Sequence, residues 1–246
     1  MMVGNKTSSR AGEALRLRNL VMIANIRRAG DPAWRDRARP ATLDAWSHRW
    51  SRIDVEETGA HGDLVGITLD RLAEERGTTP FDLMLDLALA DELTTRFRVV
   101  MDNDGEDEIG DLLADKRTLL GLSDAGAHAS QLCDACYSTH VLDHWVRDRK
   151  ALTLEDAVWR LTGHPHRAFR VADRGLVQEG FHADLVAFDP ATVGITPAER
   201  VHDQPGGADR LVVRSTGIEH VWVNGVATRV AGEDVPDVAP GRLLRS

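Results

Sequence analysis

The sequence changes texture at Arg174, and that change limits the folds open to it more than any other feature. Upstream, apolar residues recur at helical spacing between capping signals; downstream they gather in short runs separated by Gly, Pro and Asp turns. This pattern predicts an α/β body followed by a small β-rich module, with the boundary near Arg174. The 246 residues, 42% of them hydrophobic, suffice for one large domain or two smaller ones.

Residues 13–28 form one weakly amphipathic stretch, closed by the punctuating Gly30-Asp31-Pro32. Thr68 is placed to cap a short helix through Glu75 that Gly77 stops, and Thr79-Pro80 starts another with Phe81, Met84, Leu85, Ala88 and Leu89 on one face. Phe97-Arg98-Val99-Val100-Met101 reads as a strand. An acidic helix start at Glu106 follows, with Ile109, Leu112 and Leu113 apolar, and residues 118–123 read as a second strand. The order strand, helix, strand predicts a parallel sheet, with Asp124 at the C-terminal end of a strand, where such sheets place their chemistry. A long helix is expected over residues 130–146, with Leu132, Cys136, Val141 and Trp145 in mostly helical spacing. The next carries a capping box, Thr153-x-x-Asp156, an apolar stripe of Leu154, Ala157, Val158 and Leu161, and a stop at Gly163 before Pro165. Downstream, strands are expected over residues 183–188, 211–213, 218–223 and 226–230, the last two joined by an Asn224-Gly225 type I′ turn.

Composition excludes whole classes of function. A formal net charge of −9 opposes general attraction to nucleic-acid phosphates or anionic membrane, and no apolar run approaches the ~20 residues that span a bilayer. Two cysteines three residues apart are too few for a disulfide scaffold. These features predict a soluble cytoplasmic protein with reduced thiols.

Three groups of residues invite a chemical reading. Cys133, Cys136, His140 and His144 have zinc-ligand chemistry, but on one helix they would span about 16 Å, too far for one ion; packed side chains on a helix face are the expectation. The run 102–108 resembles a calcium loop, but its glycine comes fourth rather than sixth, so a solvated acidic helix start is expected. Asp124 differs. A carboxylate directly after an apolar strand, followed by Ala125-Gly126-Ala127 and His128, gives a small-residue loop where a ligand can approach the backbone while an acid and an imidazole converge. On these residues alone, a turn-forming, helix-capping aspartate is the favoured reading of Asp124. His48, His61, His164 and His166 lie in loop-like or helix-end surroundings and carry no site by themselves.

Five ordered segments add a resemblance. Gly121-Leu-Ser-Asp-Ala-Gly-Ala-His128 with Leu132-Cys-Asp-Ala, Thr153-x-Glu-x-Ala-Val, Asp173-Arg-Gly175, Gly180-x-x-Ala-Asp-Leu-Val-x-Phe-Asp-Pro190 and His220-Val-x-Val-Asn-Gly225 resemble the amidohydrolases that include N-acyl-D-amino-acid deacylases. The resemblance implies a metal-dependent (β/α) barrel with a small β-sandwich. Residues 1–30 would be a divergent segment, 31–174 the C-terminal part of the barrel, and 175–246 the β-sandwich portion and tail. It implies a zinc enzyme hydrolysing small-molecule amides, with Asp124 beside the metal and handling the proton of the attacking water, and His128 contacting substrate. Zinc would lower the pKa of bound water and polarise the carbonyl while the carboxylate moves the proton. Asp184, in Ala-Asp-Leu-Val, would be architectural.

The family's His-x-His and its further ligands should precede Asp124, yet no His-x-His occurs there, and the 123 residues before Asp124 fall short of the roughly 200 or more of a complete barrel. The chain therefore reads as the C-terminal part of such an enzyme. The alternative is a non-catalytic remnant or interaction module that self-associates or pairs with a complementary N-terminal polypeptide.

Overall fold

The computed structural model describes residues 29–46, 49–100, 104–121, 123, 125–126, 128–131, 133 and 135–244. It divides into two units, one ending at Gly105 and the other beginning at Glu106. The amphipathic stretch of residues 13–28, together with His48 and Asp124, lies outside the described residues.

In the first unit, helix α1 (Pro32–Trp46) begins where the sequence suggested only a break. Asp31 explains it: its Oδ1 accepts the Ala33 amide at 2.9 Å, and Pro32 sits in the first turn, where its missing N–H costs nothing. Strand β1 (Ile53–Glu57) precedes helices α2 (Leu69–Arg76) and α3 (Pro80–Ala90). Gly77 ends α2 in the left-handed region at φ 62°, as expected, although the Thr68 hydroxyl makes no capping bond. Thr79 does cap α3, accepting the Asp82 amide at 3.1 Å. Phe81, Leu83, Leu85 and Leu87 are all buried, so α3 packs on more than the single face its spacing suggested. Arg39 binds Asp82 at 2.6 Å and Arg35 binds Asp86 at 2.6 Å, joining α1 to α3. Strand β2 (Arg96–Val99) pairs antiparallel with β1, Ile53 opposite Val99 and Val55 opposite Phe97. Trp50, Ile53, Val55, Leu69, Leu72 and Phe81 centre the core of this unit, each contributing roughly 1.5–3 kcal/mol by leaving water.

The expected parallel sheet is therefore not formed among the described residues. β2 takes its partner from β1, ahead of the two helices, and residues 118–121 and 123 lie in no strand. Thr118 instead finishes helix α4 (Glu106–Ala114), its hydroxyl donating to the Leu112 and Asp115 carbonyls at 2.7 and 2.8 Å. Every strand ladder among the described residues is antiparallel, and the architecture is mixed α/β.

In the second unit, α4 is followed by helix α5 (Tyr137–His140), which continues as a π-helix over Val141–Asp148. The Arg149 amide bonds the His144 carbonyl, five residues back, at 2.7 Å. The helix expected over residues 130–146 thus starts seven residues late. Its first residues are committed elsewhere, because the Ala129 carbonyl accepts the Leu211 amide at 2.8 Å and the Ser130 carbonyl accepts Arg200 Nη1 at 3.1 Å. Helix α6 (Leu154–Leu161) is capped by Thr153, whose hydroxyl accepts the Asp156 amide at 3.1 Å. Gly163 does not end α6 but opens helix α7 (Gly163–Ala168).

Strands β3 (Leu185–Phe188), β8 (Ile218–Val223), β9 (Val226–Val230) and β10 (Glu233–Asp234) make a four-stranded sheet in the order β10-β9-β8-β3. The β8–β9 turn has positive φ at Asn224 (49°) and Gly225 (79°), the type I′ geometry expected. Two ribbons complete the unit: β4 (Gly194–Ile195) with β7 (Ser215–Thr216), and β5 (Glu199–Val201) with β6 (Arg210–Val212). Packing continues across Arg174, since Val193, Phe188 and Ile218 join Val141, Trp145 and Ala157 in one core.

Candidate active-site loop

Asp124 lies outside the described residues; of the residues around it, 125–126 and 129–131 lie in turns. Ser123 Oγ accepts the Ala125 amide at 3.4 Å, Gly126 has φ 90°, and His128 has φ 51°. A left-handed backbone is natural for glycine and unfavourable for histidine. At His128 the Gln131 amide closes the turn, donating to the His128 carbonyl at 2.7 Å. The His128 side chain is exposed.

The segment after His128 is fastened to the β-rich part. Besides the bonds to Ala129 and Ser130, Cys136 Sγ donates to the Val213 carbonyl at 3.1 Å, and the Thr139 and Ser215 hydroxyls are 3.2 Å apart. Arg200 also pairs with Asp209 on the same hairpin. At the hairpin's exposed end Arg210 holds Asp203 at 2.6 Å, and that bond draws the Asp203 carboxyl down to about 2. Nothing in the sequence of β5 or β6 marked this hairpin as a neighbour of the loop.

The cysteine and histidine group is not assembled into one site. Cys136 bonds the Val213 carbonyl, whereas His140 and His144 stack at 5.0 Å, with His144 Nε2 3.1 Å from Glu106 Oε1 and His140 Nδ1 3.4 Å from Asp143. In the acidic run, Asp104 pairs with Arg52 at 2.6 Å and Glu106 with Arg149 at 3.2 Å. Among the described residues no group of three or more His, Cys, Asp or Glu side chains is arranged to hold a metal ion. The described residues therefore do not by themselves fit the zinc that the resemblance implies.

Two concavities lie elsewhere. One, of about 390 Å³, is lined by Arg35, Arg39, Asp82 and Asp86, which are already paired with one another. The other, of about 180 Å³, is lined by Lys116, Asp156, Trp159, Arg160 and His164. Neither includes a residue of the Asp124 loop.

Residues 17–229 match the amidohydrolase family, and the chain belongs to it. A D-aminoacylase of Alcaligenes xylosoxydans xylosoxydans is 36% identical over 165 residues, 66% of this chain and 31% of that protein. An N-acyl-D-glutamate deacylase of the same organism is 44% identical over 107 residues, 44% of this chain and 20% of that protein. A crystal structure of a D-aminoacylase gives a TM-score of 0.44 at 30% identity, over 76% of this chain and 36% of that one. The chain spans about a third or less of the length of the curated relatives it matches. No helix among the described residues is long and apolar enough to cross a membrane.

Proposed function

We propose that this chain forms part of an enzyme that hydrolyses the amide bond of N-acyl-D-amino acids, with Asp124 as its proton-transferring carboxylate and His128 as a substrate contact. The observation that carries the reading is membership of the amidohydrolase family over residues 17–229, a span that includes Gly121-Leu-Ser-Asp-Ala-Gly-Ala-His128. Similarity to a D-aminoacylase and an N-acyl-D-glutamate deacylase supports the substrate class.

Amide hydrolysis needs a proton removed from water as it attacks and a proton delivered to the departing amine. One carboxylate in contact with both atoms can do each in turn. Asp124 has that chemistry, and the exposed His128 imidazole can donate to an oxygen of the bound acyl-amino acid. In this reading residues 175–246 carry the β-sandwich portion, and the parallel barrel strands and the zinc ligands come from outside the described residues.

The test is stereochemical. Amine release from N-acetyl-D-amino acids and their L forms would be measured with the zinc-supplemented chain, alone and mixed with a D-aminoacylase polypeptide truncated before the segment aligned with Gly121. Turnover of the D forms alone supports the reading; equal turnover of both, or none in either preparation, contradicts it.

A further inference from the structure

We propose that the β5–β6 hairpin is a strap that sets the conformation of residues 128–131, the segment just after Asp124, with Arg200 as its positioning residue. Its catalytic consequence rests on the functional reading above; its structural content does not.

The carbonyls of three successive residues each have a donor. His128 is served by Gln131 within the loop, whereas Ala129 and Ser130 are served by the hairpin, through the Leu211 amide at 2.8 Å and Arg200 Nη1 at 3.1 Å. Both hairpin donors are well sheltered: Leu211 is buried and the Arg200 side chain is 14% exposed. A bond from a guanidinium to a carbonyl is charge-assisted, and Asp209 on the same hairpin fixes the guanidinium that makes it.

The strap decides between two conformations. The apolar spacing of Leu132, Cys136, Val141 and Trp145 favours a helix beginning near Ser130, and such a helix would use the Ala129 and Ser130 carbonyls as acceptors for amides four residues on. With both carbonyls held by the hairpin, α5 begins at Tyr137, residues 129–131 and 135–136 remain as turns, and His128 stands before them at φ 51°. An unfavourable left-handed histidine persists only where its surroundings over-determine it. Here the surroundings are the hairpin and the Gln131 turn.

The experiment is amide hydrogen exchange on the whole chain, comparing Arg200→Met and Arg200→Lys with Arg210→Met, a control that removes a charge from the same hairpin without touching the loop carbonyls. Arg200→Met should speed exchange across residues 125–131 roughly ten- to hundred-fold, the size of a lost charge-assisted bond. Arg200→Lys should fall between, because an ammonium keeps the charge but lacks the planar, pre-organised guanidinium whose Nη1 serves both Ser130 and Asp209. Arg210→Met should leave the loop unchanged. Unaltered loop exchange in Arg200→Met, or an equal rise in α6 and β8, overturns the proposal. Should Arg200→Met fail to fold, Asp209→Asn keeps the donor and loosens its hold, and the same loop-confined rise is expected at smaller size. Where the enzyme turns over, Arg200→Met should lower kcat about ten-fold with KM within about two-fold, the mark of misplacement rather than lost binding. If Asp124→Asn kept full turnover while the exchange effect stayed confined to the loop, the catalytic reading would fall and the strap would stand. If Asp124→Asn were inactive and Arg200→Met left loop exchange unmoved, only the strap would fall.

Discussion

The Asp184 carboxylate accepts the backbone amide of Asn224 at 2.7 Å, joining the residue that leads into β3 to the turn between β8 and β9. The buried Arg174 completes the joint, one guanidinium nitrogen on Asp184 and another on Asn224 Oδ1 at 2.6 Å. Asn224 Nδ2 in turn reaches the Pro240 carbonyl at 2.7 Å. These bonds tie together the start of β3, the β8–β9 turn and the segment at Pro240.

Asp184→Ala should cost about 2–3 kcal/mol, because it strands a guanidinium that is 7% exposed. The pH dependence has a definite sign. Burial pushes the Asp184 carboxyl up, but the Asn224 amide and then Arg174 together hold it below its ordinary value. A carboxyl lowered in the folded state contributes stability that is present above about pH 4 and is lost as the pH falls through the folded value. Denaturant melts from pH 7 to 3 should show wild type losing more stability on acidification than Asp184→Asn; parallel curves would contradict the assignment.

Arg160, 2% exposed, donates to the Ala114 carbonyl at 2.7 Å, the Asp115 carbonyl at 3.1 Å and Asp156 at 2.8 Å. It thereby closes the C-terminal end of α4 from the neighbouring helix α6. Arg160→Met fills most of the volume but leaves two carbonyls without a donor, and about 2–4 kcal/mol of stability should be lost. A denaturation midpoint equal to wild type would refute this.

Gly217 has φ 69°, and a Cβ there would lie 2.4 Å from the Val193 amide nitrogen and 2.6 Å from the Thr192 carbonyl carbon. The obstacle is backbone, which cannot swing aside as a side chain would. Gly217→Ala should lose about 3 kcal/mol or more, from left-handed strain together with overpacking. Full retention of the thermal midpoint would show that β4 and β7 separate easily.

His128 allows backbone and side-chain roles to be read apart. At φ 51°, His128→Gly should be about 1 kcal/mol more stable than His128→Ala, since glycine alone occupies that region without penalty. If the imidazole contacts substrate, both variants should raise KM alike. Equal stabilities would deny the left-handed backbone, and unchanged KM in both would deny the contact.

Local signals were legible in the sequence wherever a few adjacent residues decide the outcome. Thr79-Pro80, Thr153-x-x-Asp156 and Asn224-Gly225 each give the cap or turn expected of them. What escaped depends on distant partners. β1 is invisible until Asp54 meets Arg98 at 2.6 Å, 44 residues on, and α1, rich in Arg and Ala, is held by Arg35 and Arg39 on α3 carboxylates. The apolar spacing of α6 puts Val158 inside, whereas Val158 is 36% exposed and Arg160 is buried, because α4 supplies the carbonyls that satisfy it. At the candidate site the Asp124 motif stands out in sequence through its acid, glycine and histidine. The hairpin bonded to Ala129 and Ser130 does not, since its bonds run through main-chain carbonyls that any residue supplies.

The most direct measurement is kcat for hydrolysis of an N-acetyl-D-amino acid by the zinc-supplemented protein, reconstituted with the truncated D-aminoacylase polypeptide if needed, with Asp124 and with Asn in its place. Asparagine keeps the shape of the side chain but cannot take the proton. A fall in kcat of about 10²–10⁴-fold with an unchanged denaturation midpoint is expected. Equal turnover by the Asp124→Asn protein would contradict a catalytic role for Asp124.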